Sequence, residues 1–393
     1  MAPLFRNDQI GSLIRPGFLM DARKQQGIYS EKQTEDLRTL TQTAISRAVE
    51  KQLELGIRPI VSGEYERTIF YSGFFERLEG FECRTDLRVP QDVRPALPLW
   101  DFYAKMGRQY REACVATGKI RHTASPNMGG WNMLKEATPK EHWGDCKISI
   151  PAITWEHLQL PKNGAYSAGV YSSDREYFTD LAAAYRKEIQ ELYNAGLRSI
   201  QFDDPNLSYF IYDAFLNGLR EDGVDPDELL DLYVWAHNEA IKDHPKDMHI
   251  GVHICKGNVA GTKGFVQGTY ERIAEKVFAR LNHDTFYLEF DDLESSFEAL
   301  RSIPEGKNIV LGLVTTKKPG LEDVDVLVGR VKEAAEVIAQ GQGRNANAVI
   351  ADTLAVSPQC GFSSHSNLRG VENEENMWKK LVLVRDITRK IWD

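Results

Sequence analysis

The chain has 393 residues, 42% of them hydrophobic and 27% charged, with 57 acidic and 48 basic side chains and a net charge of −9. This is a globular balance with enough length for a large core. No basic block points to a nucleic-acid partner, and no apolar run approaches a membrane span. The N-terminal segment lacks the apolar stretch of a secretory signal. Five cysteines, Cys83, Cys114, Cys146, Cys255 and Cys360, are scattered and odd in number. A disulfide framework is not expected, and a reducing, cytoplasmic compartment is. Cys83, Cys114 and Cys146 read as free thiols of the interior.

In chain order, strand-like runs occur at 9–13, 58–62, 147–150, 198–202, 248–253, 285–289, 308–314 and 348–351. Helix-length segments fall between them at 31–55, 174–194, 227–242, 270–281 and 324–339, and a last one at 372–392 closes the chain. Gly56 and Gly196 follow two of these segments, as helix stops do. Repeated strand-then-helix order predicts parallel strands with helical crossovers. Eight strands would close a (β/α)8 TIM barrel, with an open doubly wound sheet as the alternative. No glycine-rich phosphate loop follows an early strand, which counts against a dinucleotide site. The stretch 65–145, rich in Arg, Pro and aromatic residues, breaks the rhythm. It reads as a long insertion after the second strand, serving as a lid or an oligomer contact, within a single catalytic domain spanning 1–393.

The residues that could carry chemistry fall at strand ends, where a barrel keeps its active site. His253 and Cys255 end one apolar run, Glu289 ends the next, and Cys360 follows a third. Residues two apart on a strand share a side, so His253 and Cys255 could grip one ion. One imidazole, two thiols and one carboxylate make a tetrahedral zinc set. Alone, each also reads as an ordinary buried or solvated residue, and His249 and His283 are weaker alternatives. Two thiolates, a carboxylate and Zn²⁺ sum to −1, a charge that suits holding a substrate thiol as thiolate better than making hydroxide. Glu64 follows the second strand and could hold an ammonium group or cap a helix. Asp203 and Asp204 are adjacent like charges. Asp204, before Pro205, suits a helix N-cap, which leaves Asp203 for the pocket. The Gly11-Ser12 turn could offer main-chain amides to a carboxylate.

Together these residues resemble the C-terminal catalytic barrel of cobalamin-independent methionine synthase. The matching segments are Ile10-Gly11-Ser12, Gly63-Glu64-Tyr65-Glu66-Arg67, Ile200-Gln201-Phe202-Asp203-Asp204-Pro205, His253-Ile254-Cys255, Glu289 and Pro358-Gln359-Cys360-Gly361. The resemblance implies that His253, Cys255, Glu289 and Cys360 bind Zn²⁺, and that Ile10, Gly11, Ser12, Glu64 and Asp203 bind the amino-acid part of homocysteine. It implies an S-methyltransferase of the 5-methyltetrahydropteroyltriglutamate–homocysteine type, acting in methionine biosynthesis. The methyl donor would be a folate or another carrier. Two departures stand out. The chain has no room for the full enzyme's additional N-terminal barrel, so it resembles the short, single-barrel branch. The family's catalytic histidine after the seventh strand is replaced, with Lys317 in its place in Gly312-Leu313-Val314-Thr315-Thr316-Lys317-Lys318-Pro319. The family's folate-stacking tryptophan has no clean match here; Trp155 is nearby but offset.

The expected activity is therefore zinc-dependent methyl transfer to a homocysteine thiolate. The alternatives are another zinc–thiolate alkyl transfer such as epoxide–thiol ligation, a decarboxylase-like barrel without zinc, and a non-catalytic barrel. Expected partners are small molecules, with neither nucleic acid nor membrane, and with homo-oligomer formation left open.

Overall fold

The computed structural model describes residues 2–26, 34–105, 107, 109–258, 266, 268–365 and 370–393. The described residues form eight strands: β1 (Glu79–Arg88), β2 (Tyr110–Arg121), β3 (Ile148–Pro151), β4 (Ser199–Asp203), β5 (His249–Ile254), β6 (Thr285–Glu289), β7 (Asn308–Val314) and β8 (Leu354–Pro358). β3 to β8 make one parallel sheet in chain order. Every residue of β4, β6, β7 and β8 is buried. That is why these runs read as nearly continuous apolar stretches: strands joined by helical crossovers are covered on both faces.

Both edges of the sheet are met by N-terminal segments. Asp8 N donates to Val356 O at 2.9 Å and Val356 N donates to Arg6 O at 2.9 Å, beside β8. Lys147 N donates to Ile60 O at 3.0 Å, beside β3. The two segments meet where Leu13 N donates to Gly63 O at 3.0 Å. The expected strand at 9–13 is not formed, the nearest bridge being Asn7 with Val356, and the one at 58–62 is reduced to a single bridge, Ile60 with Cys146. The sheet's interior is plugged by a buried polar set. Lys147 Nζ donates to Asp8 Oδ1, Gln9 O and Gln201 Oε1 at 2.6–2.8 Å, and Tyr287 OH donates to Asp8 at 3.1 Å.

Helix boundaries follow their caps. Ser173 accepts from Glu176 N and opens Asp174–Asn194, matching the sequence expectation. Thr34 and Gly56 bound Glu35–Leu55, and Asp323 and Gly343 bound Val324–Gln342. The expected start of the first of these, at 31–33, lies outside the described residues. Another expected strand is wrong: 348–351 belongs to the helix Ala346–Asp352. Asn345 caps it by accepting from Asn347 N, and Val349 is its buried residue. The fully buried run Leu354–Pro358 takes the place in the sheet instead. Within 65–145, β1 and β2 pair antiparallel, and the helices Pro98–Lys105 and Met128–Ala137 follow each strand in turn. No helix among the described residues is long and apolar enough to cross a membrane.

Candidate metal centre and substrate pocket

Parallel strands bring their C-terminal ends to one side. His253 lies near the end of β5 and Cys255 just beyond it. Glu289 is the last residue of β6, and Cys360 lies two residues past β8. Their donor atoms all lie within 4.8 Å of one another. Cys255 Sγ is 3.5 Å from Cys360 Sγ, and His253 Nε2 is 3.8 Å from Glu289 Oε1. Two donors on one tetrahedral zinc stand roughly 3.3–3.8 Å apart, given bond lengths of about 2.0–2.3 Å. His253 Nδ1 sits 3.3 Å from Tyr287 O, so the proton belongs on Nδ1 and the lone pair on Nε2. His253 Nε2 and both Glu289 carboxylate oxygens are buried with no hydrogen-bond partner among the described residues. Burial drives the His253 imidazole down to about 3, keeping it neutral as a ligand must be. It also pushes the Glu289 carboxyl up to about 7. The contact with Cys360, followed by burial, raises the Cys255 thiol. Unsatisfied buried polar atoms cost about 1–3 kcal/mol each, and a divalent cation would remove that cost for this set. The residues present fit such an ion.

A cavity opens beside this cluster. Ile10, Ser12, Glu64 and Asp203 line it together with His253, Cys255 and Cys360. Gly63 and Glu64 both have left-handed φ, +73° and +58°, and Glu64 N donates to Ser62 Oγ. This turn puts the Glu64 side chain in the buried wall. Its Oε1 accepts from Ser149 Oγ at 2.6 Å and pairs with Arg67 Nη2 at 2.8 Å, whereas Oε2 is buried without a partner among the described residues. Asp203 Oδ1 accepts from Gln201 Nε2 at 2.6 Å. Burial first, then the charge of Glu64, lifts the Asp203 carboxyl to about 8. Gly11 sits behind the wall with φ +144°, where a Cβ would stand 2.9 Å from Ser149 Oγ and 3.3 Å from Glu64 Oε1. The main-chain N–H groups of Gly11 and Ser12 donate to no group among the described residues. Ser12 is tied to the Cys360 segment: its O accepts from Phe362 N and its Oγ from Ser363 N.

A sequence profile described as the catalytic domain of cobalamin-independent synthase matches residues 169–380, more than half of the chain. The chain belongs to the cobalamin-independent synthase family. YxjH of Bacillus subtilis strain 168, a protein described as uncharacterized, is 33% identical over 99% of this chain and 95% of its own length. A Listeria monocytogenes structure, provisionally described as a vitamin-B12-independent methionine synthase, superposes with a TM-score of 0.72 at 31% identity. It covers 100% of this chain and 99% of that one. The B12-independent methionine synthase of Shewanella sp. W3-18-1, solved with selenomethionine, gives 0.68 at 20% identity, covering 99% and 98%, and so shows a shared fold.

In this family member the matched region carries Asp203 and the four donors, while Ile10, Gly11, Ser12 and Glu64 come from outside it. Much of the rest of the cavity wall is aromatic, with Lys256, Asn258, Ser364 and His365 among its polar residues. Phe70 and Tyr71, Trp100, and Tyr209 line it with Trp155. Tyr71 stacks on Trp155 at 4.5 Å and 27°, and Phe70 meets Trp155 edge-on at 4.9 Å. Trp155, offset in sequence, is therefore in the wall. Phe70 and Trp100 come from 65–145, where no periodicity marks them. The loop carrying Phe70 is fixed by Phe70 N donating to Ser364 O at 2.9 Å, close to Cys360 in sequence. Lys317 is not among the described residues lining the cavity. Its Nζ lies 3.1 Å from Asp291. Burial opposes its charge, but the Glu289 and Asp291 carboxylates outweigh burial and raise the ammonium's pKa. The N-cap position of the short helix Asn206–Tyr209 falls to Pro205 rather than Asp204; Asp204 is buried, its Oδ1 accepting from Leu207 N and its Oδ2 meeting His237 Nε2 at 2.7 Å and Thr154 Oγ1 at 2.9 Å. His249 lies at the opposite end of β5, between Ser199 Oγ and Thr285 Oγ1.

Proposed function

We propose that this chain is a zinc-dependent thiol methyltransferase that converts homocysteine to methionine. The observation that carries this reading is the convergence of His253 Nε2, Cys255 Sγ, Glu289 Oε and Cys360 Sγ, with the nitrogen and both oxygens buried and otherwise unpartnered among the described residues. His253, Cys255, Glu289 and Cys360 would hold the zinc. Bound there, it would keep a substrate sulfur in its nucleophilic thiolate form near neutral pH. Support also comes from the family match and from the shared fold with methionine synthases.

The chain's own residues position the amino acid. Glu64 Oε2 and the Asp203 carboxylate accept hydrogen bonds from the ammonium group. The N–H groups of Gly11 and Ser12 donate to the carboxylate. Fixing both ends of homocysteine orients its sulfur toward the donor cluster, and orientation is worth several kcal/mol of the barrier. The aromatic wall of Phe70, Tyr71, Trp100 and Trp155 excludes water and offers a flat apolar face to a planar donor, a methylated folate or a carrier of similar shape. The single bridges that 6–13 and 57–63 make to the edges of the six-stranded sheet support a (β/α)8 barrel, with 65–145 as an insertion that supplies Phe70, Tyr71 and Trp100 to the wall.

The test is zinc content by elemental analysis, followed by the zinc X-ray absorption edge on adding L-homocysteine. A methyl-transfer assay should run beside an epoxide-opening assay. About one zinc per chain, a new sulfur scatterer and methionine formation are expected. A well-folded, zinc-supplemented protein that retains no zinc would overturn the reading.

A further inference from the structure

Outside this pocket a second thiol cluster sits on the antiparallel pair. Cys83 of β1 and Cys114 of β2 stand directly opposite each other in register, with Sγ atoms 3.1 Å apart. Cys83 is exposed and Cys114 is buried. They open onto a cavity lined also by Ile69, Tyr71, Glu76, Glu112 and Glu156. Opposed residues of an antiparallel pair have Cβ atoms about 4.5–5.5 Å apart, close to the roughly 3.5–4.5 Å a disulfide needs. Glu76 completes a three-donor group with the two sulfurs. Two sulfurs on one zinc, however, stand roughly 3.8 Å apart, wider than this pair. The geometry favours a sulfur–sulfur bond over a shared metal.

We propose that Cys83 and Cys114 are a redox site, a dithiol that a small amino-bearing disulfide converts to an intrachain disulfide. Glu76 and Glu112 supply the selection, since an anionic disulfide would be repelled and a cationic one drawn in, whereas the buried Glu156 is paired with Arg111. The exposed Cys83 sulfur attacks one sulfur of the small disulfide. It forms a mixed disulfide and releases one thiol, which takes the Cys83 proton. Cys114 Sγ then attacks Cys83 Sγ and expels the second thiol, which takes the Cys114 proton. Two protein thiols are oxidised and one disulfide is reduced to two thiols. The contact with Cys83, then burial, holds the Cys114 thiol above its usual range. In the mixed disulfide the contact with the Cys83 thiol is gone but burial remains, so the second step speeds up as pH rises and Cys114 deprotonates. Ile69 and Tyr71 line both this cavity and the substrate pocket, so the bond forms against the back of the aromatic wall. Pairs of this kind in reducing compartments are transient and redox-sensing rather than structural.

The experiment treats the reduced, zinc-supplemented protein with cystamine, alkylates the remaining thiols and maps the peptides. Expected are the loss of two titratable thiols, a Cys83–Cys114 linked peptide and the release of two cysteamines per chain. Cys114→Ser should stop at a cysteamine adduct on Cys83, and Cys83→Ser, at an exposed position, should show neither product. Full alkylation of all five cysteines after cystamine overturns the proposal. So does a linkage confined to Cys255 and Cys360, or a second zinc that Cys83→Ser removes. None of these outcomes depends on whether homocysteine is the substrate.

Discussion

His253 Nε2 and Glu289 Oε1, on neighbouring strands, lie 3.8 Å apart, and neither meets a hydrogen-bond partner among the described residues. Without an ion this arrangement is destabilising, because two desolvated acceptors face each other. Zinc should therefore raise the melting temperature of metal-depleted protein. A ligand at about a thousand times its Kd adds about 4 kcal/mol. Cys360→Ala and His253→Ala should lose most of that gain while changing the metal-free melting temperature little. Thermal denaturation with and without added zinc checks this. An equal gain in wild type and Cys360→Ala would place the metal elsewhere.

The Asp203 carboxyl, lifted to about 8 by burial and by Glu64, makes stability depend on pH. In the unfolded chain an aspartate loses its proton near 3.9, so between about 4 and 8 the folded protein holds a proton that the unfolded chain has released. The stabilisation from this group is complete below about 4 and is lost as pH rises through about 8. Its slope reaches at most roughly 1.4 kcal/mol per pH unit. Asp203→Asn should flatten this slope in urea unfolding of metal-free protein at pH 5, 6.5 and 8. Ammonium binding needs the ionised form, so the KM for homocysteine should fall as pH rises toward 8 in wild type and stay flat in Asp203→Asn.

The convergence of His253, Cys255, Glu289 and Cys360 was legible because chemistry is local. A His-x-Cys pair, a strand-terminal Glu and a Cys after a strand each sit at the end of an apolar run, and parallel strands must bring those ends together. β4 to β7 were legible for the same reason. The strand at 348–351 was misplaced because Ala348-Val349-Ile350-Ala351 is apolar enough for either state. The deciding signal was the Asn345 cap, which turns the segment into a helix. The aromatic wall was not legible. Phe70 and Tyr71 lie in irregular chain and Trp100 in the short helix Pro98–Lys105, and tertiary contacts bring them to the pocket: the Phe70–Ser364 hydrogen bond, the stacking of Tyr71 on Trp155 and the bond from Trp100 Nε1 to Gln159 Oε1. Lys317 was placed by analogy with a histidine, and its pairing with Asp291 depends on a tertiary contact that spacing does not encode.

Gly11 should not tolerate a side chain. At φ +144° any L-residue is strained, and a Cβ would meet Ser149 Oγ at 2.9 Å and Glu64 Oε1 at 3.3 Å. Gly11→Ala should cost about 1–3 kcal/mol of stability. On the proposed function it should raise the KM for homocysteine more than it lowers kcat, because the displaced Glu64 would hold the amino group rather than the reacting sulfur. Steady-state kinetics with zinc content as a control distinguishes this from loss of metal. A normal KM would remove Gly11 from the pocket's design.

Ser12 and Gly361 should behave as a coupled pair. A Cβ on Gly361 would lie 2.0 Å from Ser12 Oγ and 3.2 Å from Ser12 Cβ. Gly361→Ala must therefore push the Ser12 turn away from the segment that carries Cys360. Both halves of the site should suffer together, with weaker zinc retention and a higher KM for homocysteine. Ser12→Gly removes the Ser12 atoms in the way, leaving Ser364 Oγ at 3.1 Å, at the cost of the hydrogen bond from Ser363 N. It should be mildly impaired alone, yet should restore part of the zinc content and activity in the Gly361→Ala background. The expected coupling is about 1–3 kcal/mol in a double-mutant cycle, since the two sites share a contact. Additive effects would mean that the turn and the metal segment move independently, and that the contact between Ser12 and Gly361 does not join the amino-acid pocket to the thiol centre.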